Sequence, residues 1–425
     1  MYLADSRTAP DPSDTAGRHP LPGRRAALVP GAVFALGSVS LITDVSSEMV
    51  TAVLPLYLVA GLGLSPLGFG LLDGVYNGVS ALVRLVGGRV SDRGGSHKTV
   101  AAVGYGLSAL CKPLLLMAHS VPLIGAVLAA DRTGKGLRTA PRDAMISLAC
   151  EPGTRGRAFG VHRAMDTAGA LLGPLVAFVI LRAAADGYDA VFTVSGCIAA
   201  LGVLVLLLFV PGREDARPFT EPAAGRAPLR AVLRRPAVRR LTGCAALLGL
   251  TTVSDSFLYL TLQRRLDLSE TWFPLLPLGT ATAFLLLAVP FGTFADRVGR
   301  RRLFLCGHLA LLAAYGLLVS PLGDSPTLAF IVLALHGSFY AATDGVLAAV
   351  TADAVPETIR GTGLAVVQTG QAAARFVCSI AFGVAWTTWG DRVALGSAAT
   401  GLAVSVAVSA LLLRPSPDAP PEPVR

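Results

Sequence analysis

The sequence predicts an all-α polytopic membrane protein with twelve transmembrane helices in two repeated bundles of six. Composition is the first observation behind this prediction. Only 15% of the 425 residues are charged and 53% are hydrophobic, whereas soluble globular proteins carry about 25% charged residues. The second observation is a series of apolar runs, each long enough to cross a bilayer core of about 30 Å. The third is an internal repeat, which relates the two halves of the chain.

The apolar runs predict the spans in chain order. They lie near residues 31–60, 66–88, 99–118, 121–149, 158–182, 188–210, 240–262, 272–293, 303–320, 326–351, 362–386 and 392–413. One long hydrophilic connection separates the first six spans from the last six. The predicted units are therefore a disordered cytoplasmic tail (1–30), an N-terminal bundle (31–210), a cytoplasmic central loop (211–239), a C-terminal bundle (240–413) and a cytoplasmic tail (414–425).

Two pairs of similar segments recur at nearly the same spacing in the two halves. The loop GRVSDRGGSHK after span 2 resembles GTFADRVGRRR after span 8, and its Asp92 precedes Asp296 by 204 residues. The segment PGTRGRA before span 5 resembles PETIRGTG before span 11, with Arg155 and Arg360 separated by 205 residues. Two independent pairs at nearly one spacing indicate a duplicated unit of six helices.

The distribution of charge explains the net charge of +9 without a nucleic-acid partner. Most Lys and Arg residues fall in the two tails and in the connections from even-numbered to odd-numbered spans, and cytoplasmic loops carry this excess in membrane proteins. Both termini are therefore expected in the cytoplasm, in a multi-pass protein of the cell membrane. The six cysteines form no CxxC motif, so no metal site or cofactor is expected. No spacing of a nucleophile and a base suggests an enzyme.

The repeated loops share a pattern of glycines, one acid and several bases. The first copy contains Gly88, Asp92, Arg93, Gly95 and Lys98, and the second contains Gly292, Asp296, Arg297, Gly299, Arg300 and Arg301. Together with twelve spans and a central loop, this pattern resembles the first signature motif of the major facilitator superfamily. The resemblance implies two six-helix bundles around a central cavity, alternating access, and loops that close the cytoplasmic side. Alternatively, the bases only orient the protein in the membrane.

Span 4 contains six charges in the stretch DRTGKGLRTAPRD, between two apolar segments. Four of these side chains recur at helical spacing and share one face: Asp131, Lys135, Arg138 and Arg142. Because a charge at mid-membrane costs about 2.5–3.5 kcal/mol, this face is expected to line a wet cavity or to meet partners inside the bundle. Arg132 falls on the superfamily's fourth-helix motif, in which an Arg is followed by small residues.

Acidic residues lie in spans that surround the cavity in this superfamily. They are Asp44, Glu48, Asp73, Asp166, Asp255 and Asp344; Arg84 and Arg375 lie in such spans too. Lys112 is the exception, because span 3 faces outward in the family. Asp44 and Glu48 share one helix face, where two carboxylates in a low dielectric titrate as a coupled pair. This pair is the predicted proton-coupling site, and related antiporters couple such acids to the residue at Arg132. The alternative is a static network of ion pairs.

Span 5 carries a motif that bears on the direction of transport. Gly160, Gly169, Gly173 and Pro174 have the spacing of the fifth-helix motif of drug:proton antiporters in the superfamily, although the Gly expected after the Pro is absent. The resemblance implies efflux. The alternative is a packing face of small residues.

The leading hypothesis is a secondary active transporter that couples efflux of a small organic molecule or drug to protons. The cations of span 4 favour a second hypothesis, an importer or exchanger of an organic anion or metal chelate. A non-transporting membrane sensor is a third. The expected partners are the lipid bilayer, a small-molecule substrate and protons, with an ion gradient in place of a cofactor. The protein is expected to act as a monomer, and its abundant Ala, Arg and Gly favour a bacterial source.

Overall fold

The N-terminal half forms six helices that match the first six predicted spans. The computed structural model describes residues 30–91, 97–150, 155–211, 232, 234–321, 325–343, 347, 350–351, 355 and 360–413. The helices are α1 (Gly31–Leu56, prolonged by a π-helical turn Tyr57–Gly61), α2 (Pro66–Ser91), α3 (His97–Met117), α4 (Val121–Leu148), α5 (Arg155–Ala183) and α6 (Gly187–Phe209).

The C-terminal half forms the remaining spans, and the predicted all-α fold class is confirmed. Its helices are α7a (Pro236–Gly249), α7b (Asp255–Arg265), α8 (Leu275–Val298), α9 (Arg300–Val319), α10 (Pro326–Thr343), α11 (Arg360–Trp389) and α12 (Asp391–Leu412). A short 3₁₀ turn, Glu270–Trp272, precedes α8. Both predicted tails and most of the predicted central loop lie outside the described residues.

Nine helical segments in the described ranges are long and apolar enough to cross a membrane by length and composition alone. The spans that fall outside this set are α2, α4 and the two pieces of span 7. Helix α4 carries the run of charges, while α7a and α7b have only 14 and 11 residues. Polar or broken helices can lie at membrane depth where neighbouring helices satisfy their polar groups. Consistent with this, α4 packs between α2 and α3, and α7a packs on α11.

Helices of each half pack mainly on one another. In the N-terminal half α1 packs on α5 and α6, and α3 packs on α4 and α6. In the C-terminal half α8 and α9 flank α10, and α12 packs on α9. The halves meet chiefly along α2 and α11, with smaller contacts between α5 and α8. The interface between the halves therefore runs through the middle of the molecule.

At the end of the bundle opposite Gly31 and Leu412, contacts join the two halves. A Cβ atom on Gly383 of α11 would fall 2.7 Å from the carbonyl oxygen of Pro66, so the absence of a side chain permits this close approach. The Tyr188 hydroxyl, at the start of α6, donates a hydrogen bond of 2.6 Å to Glu270 before α8.

The span predicted over residues 240–262 consists of two helices, with a break between α7a and α7b. The Val253 N–H, which lies in the break, donates to the hydroxyl of Tyr315 at 2.8 Å. Ser254 is the N-cap residue of α7b and has an extended backbone. A break exposes backbone groups that need other partners, and Tyr315 supplies one. The segment TVSDS contains the Ser-then-Asp pattern typical of a helix start, so the sequence carries the signal.

Candidate functional site

A central cavity of about 410 Å³ lies between the two halves. It is bounded by α1, α2, the α7a–α7b break, α8, α10 and α11. The predicted site residues that line it are Glu48, Asp73, Asp255 and Arg375. A cavity of this size, with a few charged groups in its wall, is typical of a small-molecule site.

Three ion pairs join α4 to α1 and α5, and we term them the α4 ladder. The pairs are Lys135–Glu48 at 3.5 Å, Arg138–Asp44 at 3.3 Å and Arg142–Asp166 at 3.6 Å. The face of bases predicted on span 4 thus meets carboxylates from neighbouring helices inside the bundle. The Lys135–Glu48 pair is the most exposed, with 36% and 27% of the two side chains accessible, and Glu48 also lines the cavity.

Two carboxyl groups of the ladder are neighbours. Asp44 on α1 and Asp166 on α5 lie within hydrogen-bonding reach of each other. Among the described groups, Asp166 Oδ1 is buried without a hydrogen-bond donor. The sequence predicts that Asp44 and Glu48 titrate as a pair. In the structure Glu48 forms an ion pair with Lys135, and the neighbour of Asp44 is Asp166. A hydrogen bond between two carboxyl groups requires a proton on one of them, so this arrangement can hold a proton.

Glycines of the fifth-helix motif bring α5 against the part of α1 that carries the ladder. A Cβ on Gly169 would fall 2.5 Å from the carbonyl oxygen of Leu41, and one on Gly173 would fall 2.7 Å from Cβ of Glu48. Pro174 is buried within α5. By contrast, a Cβ on Gly160 would meet nothing within 4 Å. The inner part of the motif therefore acts as a close-packing surface.

A second group of charges joins α4 to α3, and we term it the α3–α4 cluster. Asp131 accepts hydrogen bonds from Lys112 Nζ and from Arg132 Nη2, both at 2.6 Å. The Ser108 hydroxyl donates to the same carboxylate at 2.6 Å. The side chains of the three charged residues are only 2–8% exposed. The Arg132 guanidinium also lies 4.0 Å from the centre of the Tyr76 ring, so it contacts the cavity wall from behind.

This cluster corrects three expectations drawn from the sequence. Helical spacing grouped Asp131 with the bases of the ladder, but its carboxylate accepts hydrogen bonds from Ser108 and Lys112 of α3. Arg132 pairs with Asp131, whereas the acids of α1 pair with Lys135 and Arg138. Lys112 was expected to face outward, yet it is 2% exposed. The reason is that α3 packs closely along α4, which buries the facing side chains of both helices.

The C-terminal wall of the cavity holds a network around Asp255. Tyr340 donates to both carboxylate oxygens of Asp255 at 2.6 and 2.7 Å, and His336 Nε2 lies 3.2 Å from Oδ1. Arg375 is a hydrogen-bonding neighbour of the Tyr340 hydroxyl. Sequence reasoning missed His336 and Tyr340, since an uncharged residue in an apolar span gives no distinctive signal. In the N-terminal half, His162 of α5 is also buried, and it shares a hydrogen bond of 2.9 Å with the Ser40 hydroxyl.

The loop motifs are described in part. Asp92, Arg93, Gly95 and Asp344 lie outside the described residues, as do the side chains at Arg84, Gly88 and Asp296. Lys98 Nζ donates to the carbonyl oxygen of Leu207 at 2.9 Å, and Arg301 donates to that of Ala410 at 2.6 Å. Both bases thus bind the last turn of a helix in their own half.

Glycine also forms the turn between α8 and α9. Gly299 is the single residue between these helices and has φ +96°, a conformation that favours Gly. Arg297 and Arg300 on either side are exposed. Gly292 has open space around it, since a Cβ there would meet nothing within 4 Å.

Comparisons with known proteins agree with the geometry. The profile of the Major Facilitator Superfamily matches residues 36–286 and 245–425. An uncharacterized MFS-type transporter of Methanocaldococcus jannaschii is 29% identical over 365 residues, which cover 83% of this chain and 88% of that protein. An uncharacterized protein of Mycobacterium tuberculosis is 33% identical over 174 residues, 41% of this chain and 40% of that protein.

Solved structures of transporters share the fold at low sequence identity. The nucleoside transporter NupG superposes with a TM-score of 0.76 at 12% identity, over 91% of this chain and 100% of that chain. The peptide transporter POT in complex with sulfate gives a TM-score of 0.72 at 17% identity, over 90% and 95% of the two chains.

Proposed function

The chain belongs to the major facilitator superfamily and is an integral multi-pass membrane transporter, and from that premise we propose that it exports a small organic molecule in exchange for protons. The observation that carries this proposal is the carboxyl pair Asp44–Asp166, held between bases of α4. A transporter driven by protons needs a buried group that can gain and lose a proton, and intramembrane carboxyls serve this role in proton relays.

The ladder links this carboxyl pair to the central cavity. When the pair loses its proton, both carboxylates attract Arg138 and Arg142; when it gains one, that attraction weakens. Lys135 lies on the same face of α4, and its partner Glu48 is part of both the ladder and the cavity wall. A change in protonation can therefore alter the charge seen by a substrate without direct contact between substrate and proton.

The direction of transport is proposed from the fifth-helix motif. The fifth-helix motif resembles that of drug:proton antiporters, and its Gly169 and Gly173 pack α5 on the α1 segment that bears Asp44 and Glu48.

The alternative, an importer of an organic anion, was favoured by the bases of span 4, and the contacts of these bases no longer support it. The bases of α4 are engaged by carboxylates of α1, α4 and α5. In the cavity wall, three carboxylates accompany one Arg among the residues that line it. An anionic substrate would meet like charges there, which disfavours binding.

Proton coupling is tested with purified protein in liposomes that have an acidic interior and a trapped pH dye. Pools of organic cations and of organic anions are added separately. We expect a cation pool to dissipate the gradient only when the protein is present. The double variant Asp44→Asn with Asp166→Asn is expected to fall to the level of empty liposomes, because neither position can then carry a proton.

The matched control is Asp143→Asn. Asp143 also contacts Arg142, at 3.1 Å, but its side chain is 45% exposed and lies outside the ladder, so this variant should retain coupling. Wild-type pH dependence in the double variant would contradict the assignment of the coupling site. Accumulation of labelled anions under an inward proton gradient, with no response to any cation, would support the importer instead.

A further inference from the structure

Asp73 of α2 is a buried carboxylate at the centre of the molecule. It is 8% exposed and lines both the central cavity and a smaller adjoining pocket of about 30 Å³. The Ser379 hydroxyl of α11 donates to its Oδ2 at 2.6 Å, and Asn77 Nδ2 lies 3.4 Å from the same atom. These partners are neutral, as are Ser254 and Ser256, which also interact with the carboxyl group, and no described residue forms an ion pair with Asp73.

The other charged residues of the cavity wall, Glu48, Asp255 and Arg375, each form an ion pair or take part in a hydrogen-bonded network. Glu48 is paired with Lys135. Asp255 accepts from Tyr340 and has His336 Nε2 at 3.2 Å, and Arg375 interacts with the Tyr340 hydroxyl. Asp73 is therefore the one carboxylate in the described wall with no basic side chain at ion-pair distance. An unpaired buried charge is costly, and at membrane depth such groups pair with each other or mark a substrate pathway.

Aromatic rings surround the same space. Five rings contribute to the wall: Tyr76, Tyr259, Phe273, Phe284 and Tyr340. The face of an aromatic ring attracts a cation, most strongly where water is excluded, and it also accommodates apolar groups. The wall thus offers one unpaired negative charge within an aromatic enclosure.

We propose that Asp73 binds the positive charge of an organic cation with an apolar body, such as a protonated amine, in the central cavity. The inference rests on the proposed transport function and names its substrate class. Asp73 lies on α2 and Ser379 on α11, the helices along which the halves meet. A cation at Asp73 therefore occupies the position where a bound substrate contacts both halves.

Equilibrium dialysis of the detergent-solubilised protein with labelled tetraphenylphosphonium tests this assignment. We expect saturable binding, displaced by 3-phenylpropylamine but not by 3-phenylpropionate, which has a similar apolar body and the opposite charge. Asp73→Asn keeps the shape and the hydrogen bond from Ser379 but removes the charge. It should raise the Kd for tetraphenylphosphonium by about 30-fold or more, as expected when one member of a buried charge pair is removed.

Ser379→Ala is the matched comparison, because it removes the 2.6 Å hydrogen bond and leaves the charge. Its effect on Kd should stay below about tenfold, and Asp73→Glu, which retains the charge, should bind better than Asp73→Asn. Equal loss in Ser379→Ala and Asp73→Asn would overturn the proposal, since Asp73 would then only hold the halves together. Displacement by 3-phenylpropionate, or no binding by the wild type, would also overturn it.

The assay uses no proton gradient, so it separates this inference from the proposed coupling. Binding that depends on Asp73, with no proton flux in liposomes, would leave the substrate class standing and remove the antiport mechanism. Proton-coupled flux of a substrate that does not require the charge of Asp73 would support the antiport mechanism and overturn the assignment of the substrate class.

Discussion

Helix α4 carries two groups of ion pairs that differ in distance and in contact with water. In the α3–α4 cluster the two ion pairs measure 2.6 Å, and the side chains are 2–8% exposed. In the α4 ladder the pairs measure 3.3–3.6 Å, and the exposure of the side chains reaches 36%. The two groups follow each other on one helix, with Asp131 and Arg132 about a turn before Lys135, so the apolar environment of the span does not by itself distinguish them.

The difference indicates a division of roles along α4. Removal of one partner from a short ion pair that water cannot reach strongly destabilises a protein. The cluster is therefore suited to a permanent connection between α3 and α4. Longer contacts allow a carboxylate to be protonated and a base to change partner at lower cost, and the Lys135–Glu48 pair is in addition open to water. The ladder also contributes a charged residue of its own, Glu48, to the cavity wall, whereas the cluster only touches the wall through the contact of Arg132 with Tyr76.

The largest expected effect comes from breaking the cluster. Asp131→Asn leaves Lys112 and Arg132 buried without a counter-charge, and removal of one partner from a buried ion pair costs about 3–5 kcal/mol. The free energy of unfolding, measured by titration with dodecyl sulfate in mixed micelles, should fall by this amount. The double variant Lys112→Met with Asp131→Asn removes one of the two stranded cations and should recover part of the loss. No recovery would mean that Asp131 acts through Arg132 alone.

The sequence predicted the fold well because hydropathy, loop charge and the internal repeat are properties of whole spans. It also identified the charged residues, since each is rare in an apolar run. It could not assign their partners, because Asp131 and Lys135 share a helix face in projection while their side chains reach different helices. Ser379, His336 and Tyr340 were missed because a neutral polar residue costs little in a span, so its presence there carries little information.

A smaller effect is expected from the packing surface that holds α5 against α1. Gly173→Ala places a methyl group 2.7 Å from Cβ of Glu48 and 2.8 Å from the carbonyl oxygen of Val45, and overpacking of this kind costs about 1–3 kcal/mol. Gly160→Ala, in the same motif, meets open space and should not destabilise the protein; the helix preference of Ala over Gly favours a gain of about 0.5–1 kcal/mol. The same titration in mixed micelles compares the two variants. Equal effects would show that the motif is not a packing surface at Gly173.

The smallest effect on stability is expected for Glu48→Gln in the ladder, and it gives the sharpest contrast with Asp131. The ion pair to Lys135 is long and about a third of each side chain is exposed, so its loss should change the free energy of unfolding by about 0–1 kcal/mol. Transport should nevertheless change, because Glu48 connects the ladder to the cavity. If Glu48→Gln destabilises the protein as much as Asp131→Asn, the ladder is a structural network like the cluster. If it leaves stability intact and alters proton-driven flux, distance and water access are what separate functional from structural charges on α4.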